Sequence, residues 1–316
     1  MTMMKTMSIL VILCGISFCS SSYSAPPRQR SAIRTIIIDP GHGGFDPGTH
    51  GLFSKEKDVA LSISMKLGKA IQEEMPDVKI VYTRTTDIMP GYKTSVPEGI
   101  RYRAEFANKA KGDLFIAIHC NSNGKTAGKY EIRHVVGHKW VGKGRHRKKV
   151  PIYESHWAIN TTVGGASYVW KWEKDDRKMD AAVEGMGAEE DSAFDVSSPE
   201  GKIRAALYEQ KYFANSALFG QLVQDEFLRA GRQSEGVAQR QVGIGVLEAT
   251  GMPSVLIETG YLTNKEEEIY LNSEDGQGEV VRNIVDALKK YRNNLEGKTS
   301  GATGRAAGHL SDQAAR

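Results

Sequence analysis

The chain has almost no cysteine: 3 in 316 residues, Cys14, Cys19 and Cys120. Two of these fall in residues 1–24, which read as a secretory signal peptide. Lys5 precedes an apolar core from Met7 to Phe18, and Ser22-Tyr23-Ser24 supplies small residues for cleavage. Cleavage there leaves Cys120 alone, which excludes an internal disulfide framework and leaves stability to a buried core. Long apolar runs are equally scarce. Met7 to Phe18 is too short for a permanent membrane span, so no transmembrane anchor is expected in the mature chain, and Phe18 is too bulky to precede a lipoprotein cysteine. Charge of one sign is lacking too: 42 Lys and Arg against 38 Asp and Glu leave a net charge of +4, which gives no sign of nucleic acid as a partner.

What the chain does have is chemistry at the ends of apolar runs. Ile36 to Ile38 leads into Asp39-Pro40-Gly41-His42-Gly43-Gly44, Leu114 to Ile118 delivers His119, and Val255 to Ile257 delivers Glu258. Strand ends converging on one rim are how an open α/β sheet builds a site. His42, Glu56 and His119 form a candidate ligand set for catalytic zinc, since two imidazoles and a carboxylate leave a coordination position open for water. Glu56 stands just before Val59, Ile63, Leu67 and Ile71, whose spacing predicts a helix. Taken alone it also suits the first helical turn, where the backbone dipole favours an acid. Glu258 is the candidate base; its bland alternative is a hydrogen-bonded carboxylate ending a buried strand.

Other residues invite weaker readings. Cys120 beside His119 suggests a thiol nucleophile, but adjacent strand residues face opposite ways and cannot form a nucleophile–base couple. His50 reads as a loop residue. His134, His138, His146 and His156 are irregularly spaced among basic residues, which suits a solvated cationic loop better than a second metal site.

Six motifs in order, DPGHGGFDPGTHG, KEKDVAL, VYTRTTD, RAEFAN, DLFIAIHCNSN and MPSVLIETGYLTN, resemble the zinc-dependent N-acetylmuramoyl-L-alanine amidases across residues 33–293. The resemblance implies an α/β fold, an open, mostly parallel sheet flanked by helices, as a single catalytic domain with two insertions. It places the Zn2+ ligands on His42, Glu56 and His119 and the catalytic glutamate on Glu258. Arg84, Arg103 and Asn108 match as framework or substrate-facing residues, and Asn121 follows the second histidine as the pattern expects. The implied reaction cuts the amide between N-acetylmuramic acid and L-alanine in peptidoglycan. Glu258 would take a proton from the attacking water and pass it to the leaving amine. Ser167 departs from the pattern, because relatives usually carry an acid there.

The domain organisation read this way is a signal peptide (1–24), a catalytic domain (25–293) and a disordered tail (294–316) rich in Gly, Ala, Ser and charge. Between His119 and Glu258 lie 138 residues, more than a bare catalytic domain of this family needs. The first insertion, 129–160, carries eight Lys or Arg against one acid up to Lys149, with Trp140, Tyr153 and Trp157 interspersed. It reads as a basic hairpin or loop, either solvated charge or a contact surface for anionic glycan and stem-peptide carboxylates.

The second insertion, 172–200, carries ten acids against three bases. By resemblance to division-associated amidases it is autoinhibitory, with Glu184 over the metal, or Glu189 or Glu190 in its place, until a LytM-type activator displaces it. The bland reading is a flexible acidic loop, and Gly185 and Gly187 argue against a long helix there. Ile203, Ala206, Leu207, Ala214, Ala217, Leu218 and Leu222 predict a core helix along that stripe. Gln233 to Val246 predicts a loop and an edge strand, and Val280, Val281, Ile284 and Leu288 predict a last helix. The expected setting is secretion to the periplasm, with peptidoglycan as partner. A zinc peptidase acting within the stem peptide, or a catalytically silent wall-binding protein, is the alternative.

Overall fold

The computed structural model describes residues 31–171, 198–240 and 242–297. The signal peptide, Glu184 with its alternatives Glu189 and Glu190, and the chain beyond residue 297 lie outside the described residues.

In chain order the elements are β1 (Thr35–Pro40), α1 (Glu56–Glu74), β2 (Lys79–Tyr82), α2 (Val96–Lys109), β3 (Leu114–Asn121), β4 (Lys129–Val141) and β5 (Lys148–Ile159). There follow β6 (Gly165–Trp170), α3 (Pro199–Arg229), β7 (Ser234–Arg240), α4 (Gly245–Glu248), β8 (Ser254–Tyr261), α5 (Lys265–Asn272) and α6 (Glu274–Leu295). Six strands form one sheet in the order β2-β1-β3-β8-β6-β7, while β4 and β5 form a separate two-stranded sheet. Strands β2, β1, β3 and β8 run parallel, and β6 enters antiparallel to β8. β7 lies parallel to β6 and forms the expected edge.

The three strands that carry the motifs occupy the middle of the sheet, where both faces are covered. Ile36, Ile37, Ile38, Leu114, Phe115 and Ile116 are fully buried. Continuous apolar runs of β-branched and aromatic residues are what such strands require. Helix α1 buries Val59, Ala60, Ile63, Leu67 and Ile71 on one stripe, and α6 packs on both α1 and α3. Helix α2 starts at an N-cap serine. Ser95 accepts from the backbone N–H of Glu98 and donates 2.9 Å to its carboxylate, an arrangement worth about 1 kcal/mol.

Helix α6 buries Val280, Val281, Ile284 and Leu288 as its spacing predicts and runs to Leu295, past residue 294, where the tail was expected to begin. Helix α3 exists as predicted but turns a different face inward. It buries Ala205, Ser216, Phe219, Val223, Gln224 and Phe227, whereas Ile203 and Leu207 are 62% and 59% exposed. The reason is polar: the Gln224 amide lies 2.8 Å from the hydroxyl of Ser167 on β6, and the Ser216 hydroxyl accepts from Ser254 N on β8 at 2.8 Å. Polar residues that bond the sheet occupy the packing face, so a stripe drawn through apolar residues alone is rotated away from it.

Candidate active site

Both ends of the β1–α1 connection are held by buried charge. Asp39, 1% exposed, accepts from the Thr83 hydroxyl and from the Arg103 guanidinium. Arg103 also donates to Pro40 O (2.9 Å) and to His42 O. Arg84 donates to Pro40 O at 3.1 Å and, through one amino group, to Gly41 O and Lys57 O at 2.7 Å each. The two arginines thus tie down the carbonyl groups of the turn that presents His42, whose φ of +57° is uncommon for a side-chain-bearing residue.

Two glycines make the space. A Cβ on Gly41 would lie 2.4 Å from the His119 ring, and one on Gly48, at φ +65°, would lie 2.6 Å from both Glu56 Oε2 and the His42 ring. On the far side of the loop, fully buried Glu268 accepts from the N–H groups of Leu52, Phe53 and Ser54, which sets the approach to Glu56.

Glu56 is the first residue of α1 and is 4% exposed. Its Oε1 lies 2.8 Å from His119 Nδ1, 3.2 Å from His42 Nε2 and 3.1 Å from Cys120 N, while Oε2 accepts from Thr49 N at 2.8 Å. One atom each from His42, Glu56 and His119 lies within 4.8 Å of the others. His42 Nδ1 stands 2.8 Å from Asp46 Oδ2, which assigns its proton to that side. Nε2 therefore directs a lone pair at a carboxylate oxygen, an arrangement that needs a proton or a cation between the two. In the metal-free chain a proton does this: burial opposes it, but the carboxylates of Glu56 and then Asp46 lift His42 to about 9. Burial acts to raise Glu56, and the two histidines overcome it, holding its carboxyl well below the usual range. A divalent cation fits the same gap with both imidazoles neutral.

Glu258 on β8 is in register with His119 on β3 and Ala166 on β6, so its side chain shares the face of His119. It is 6% exposed, and its Oε2 has no hydrogen-bond partner among the described residues. Oε1 lies 3.8 Å from Arg240 at the sheet edge. Burial, then the negative charge of Glu56, pushes Glu258 up to about 8 against the pull of Arg240 and His42. The β3–β8 register shifts between His119 and Asn121, where His119 is half-buried and Cys120 is buried. A bulge at this point separates a side chain on the rim from one in the core. An open cleft lined by Met89, Ile100, Val246 and Leu256 adjoins His42 and His119.

The remaining sequence candidates are placed as follows. Arg84 and Arg103 bond the main chain around His42, as above. The Asn108 amide donates to Ala249 O at 3.1 Å and accepts from Gly251 N at 2.8 Å, bracing the turn before β8. Asn121 accepts from Ser122 N through its side chain and from Leu262 N through its carbonyl. Ser167 pairs with Ile257, the neighbour of Glu258, and so faces α3 rather than the rim. His50 sits in an isolated bridge with Lys55, and His134 stacks on His156 in the β4–β5 hairpin. Sequence reasoning missed Asp46, although its position four residues after His42 in the same Gly-rich loop was a usable signal. It also missed Arg240 and Glu268, whose roles depend on contacts between distant segments.

A family model described as N-acetylmuramoyl-L-alanine amidase matches residues 36–290. Among curated proteins, the chain is 31% identical over 304 residues to a probable N-acetylmuramoyl-L-alanine amidase, AmiB, of Haemophilus influenzae, covering 94% of this chain and 58% of that one. It is 27% identical over 257 residues to the amidase AmiC of Escherichia coli, covering 81% of this chain and 52% of that one. The chain thus spans little more than half the length of these two relatives. Among solved structures, an N-acetylmuramoyl-L-alanine amidase from Clostridium difficile 630 superposes with a TM-score of 0.53 at 23% identity, over 85% of this chain and 100% of that one, which shows a shared fold. With the motif residues gathered on one rim and the family match running through nearly all of the sheet, this chain belongs to the N-acetylmuramoyl-L-alanine amidase family.

Proposed function

We propose that the chain hydrolyses the amide between N-acetylmuramic acid and L-alanine in peptidoglycan, for cell separation or wall turnover, with Zn2+ held by His42, Glu56 and His119 and with Glu258 as the general base and acid. The observation that carries this reading is the convergence of three ligand atoms beside a buried carboxylate oxygen, Glu258 Oε2, that bonds to no described residue. A bound zinc supplies a Lewis acid for the scissile carbonyl and acidifies water. Glu258 accepts the proton of the attacking water and returns it to the departing L-alanine nitrogen. Burial and the charge of Glu56 push its carboxyl up to about 8 in the absence of a cation, and a cation held beside it would draw it back toward the carboxylate that a base requires. Asp46 orients His42, and the bond from Thr49 N together with the Glu268 clamp orients Glu56.

The setting we propose is the periplasm, reached through the signal peptide in residues 1–24. No helix among the described residues is long and apolar enough to cross a membrane. Latency through the acidic stretch 172–200, relieved by a LytM-type activator, belongs to the same proposal.

The test is mass spectrometry of products from purified peptidoglycan, comparing the zinc-loaded chain, its Glu258→Ala variant and a form lacking residues 172–200. Release of intact stem peptides that begin with L-alanine, lost in Glu258→Ala, supports the amidase. Shorter fragments would indicate a peptidase, and silence from all forms despite bound zinc would indicate a wall-binding protein. Activity only after the deletion supports autoinhibition.

A further inference from the structure

The β4–β5 arm shares a root with the catalytic rim. Strand β4 begins eight residues after Asn121, the end of the strand that carries His119. The root is closed by bonds from Gly128 N to Thr263 O (2.9 Å), from Asn160 N to Gly128 O (2.8 Å) and between the side chains of Asn123 and Asn160 (2.7 Å). Beyond that root, among the described residues, the two strands pair only with each other. A lone two-stranded ribbon is marginally stable in water, and its exposed faces gain from being covered.

One face has a definite composition. Trp157 pairs with Glu131, Tyr153 with Val135, and Trp140 with Lys149. Positions 157, 153 and 149 are four apart along β5 and point the same way, and cross-strand partners share a face, so the three rings lie on one side at intervals of roughly 13 Å. Trp140 reaches that side through a bulge. It lies five residues after Val135, an odd interval that places it on the opposite face of a regular strand, and the register shift between Val135 and Gly137 brings it back. The rings are far from buried: Trp140 is 57%, Tyr153 56% and Trp157 70% exposed. Cations surround them, with eight Lys or Arg against one acid from Lys129 to Lys149, and that acid, Glu131, is engaged by Arg133.

We infer that this aromatic face of the arm docks a glycan strand of peptidoglycan, with sugar rings on Trp140, Tyr153 and Trp157 and stem-peptide carboxylates on the flanking cations. The inference rests on the peptidoglycan reading of the rim. A sugar presents an apolar C–H face to an aromatic ring, and a polymer bearing carboxylates complements the basic border. A bilayer is the poorer match: the turn from Gly142 to Arg147 carries no apolar side chain to insert, and the rings are spread along the arm rather than gathered at its tip. Placed beside the rim, the arm holds the strand whose side branches the rim cuts.

The test is co-sedimentation of the full chain with purified peptidoglycan sacculi, run beside vesicles of phosphatidylglycerol and phosphatidylethanolamine. The Trp140→Ala, Tyr153→Ala, Trp157→Ala triple variant is expected to bind sacculi about tenfold or more weakly, as loss of clustered aromatic anchors does. It should keep wild-type turnover of a soluble muramoyl-peptide monomer, which also shows that it folds. The corresponding triple Phe variant should retain most binding. Wild-type binding by the triple Ala variant, equal losses in the Ala and Phe variants, or sedimentation of the native chain with vesicles and not with sacculi would overturn the inference. Sedimentation requires no turnover, so inactivity on the soluble monomer would count against the proposed hydrolysis and leave the docking result to be read separately.

Discussion

The rim and the arm are built to opposite rules. At the rim two carboxylates are buried and multiply bonded, Asp39 by Thr83 and Arg103 and Glu56 by two histidines and two backbone N–H groups, while buried Glu258 keeps one oxygen that bonds to no described residue. On the arm, cations and rings stand in solvent, held by the pairing of the ribbon and by local contacts such as Arg133 with Glu131 and Arg147 over Trp140. The difference follows the task. Bond cleavage needs atoms held to a fraction of an ångström, which only a packed shell can do, whereas contact with a long polymer needs area and charge. The rim therefore carries uncompensated electrostatics in the metal-free chain, and the arm carries little.

The largest effect that tests this contrast is expected from Glu258→Gln, which should reduce turnover on the order of 10²- to 10⁴-fold while zinc content, measured by mass spectrometry of the metal, stays at wild type. Next is Arg103→Met. It strands Asp39 in a buried position and should cost about 3–5 kcal/mol in denaturant unfolding. Asp46→Asn should weaken zinc binding by about 10- to 100-fold in a competition titration, because it loosens the orientation of His42.

In chelated protein the thermal midpoint should fall as pH rises. His42, raised from 6.5 to about 9, contributes stability that is present at low pH and lost as pH passes through its folded value. Glu258, raised from 4.5 to about 8, binds its proton more tightly when folded, so it too loses stability between those values as pH increases. Glu258→Gln should flatten that slope, and an unchanged slope would show that this carboxyl is not strained. The smallest effect belongs to the arm: Arg133→Ala should shift unfolding free energy by less than about 0.5 kcal/mol. A large shift there would mean that the arm is part of the core after all.

Much of the rim was legible because its residues stand at the ends of apolar runs. Ile36–Ile38, Leu114–Ile118 and Val255–Ile257 announce central strands, and a parallel sheet brings their ends to one edge. Glu56 was legible at the start of a periodic helix. The packing face of α3 was not, since Gln224 and Ser216 face inward only because Ser167 and Ser254 are there to bond them. Arg240 was not legible either, because its place beside Glu258 depends on a strand that enters the sheet two positions away. Nor was the side on which Trp140 lies, which turns on one extra residue in one strand of a ribbon.

By itself, then, the sequence determined the strands, the helix starts and the identity of the residues that converge, because hydrophobic period and residue chemistry are local properties. Tertiary structure alone decided which groups the buried arginines hold, how the proton on His42 is shared, and why Glu258 is left with an oxygen that bonds to no described residue. Those properties depend on burial and on partners separated by as many as two hundred residues, and neither exists until the sheet has closed its order.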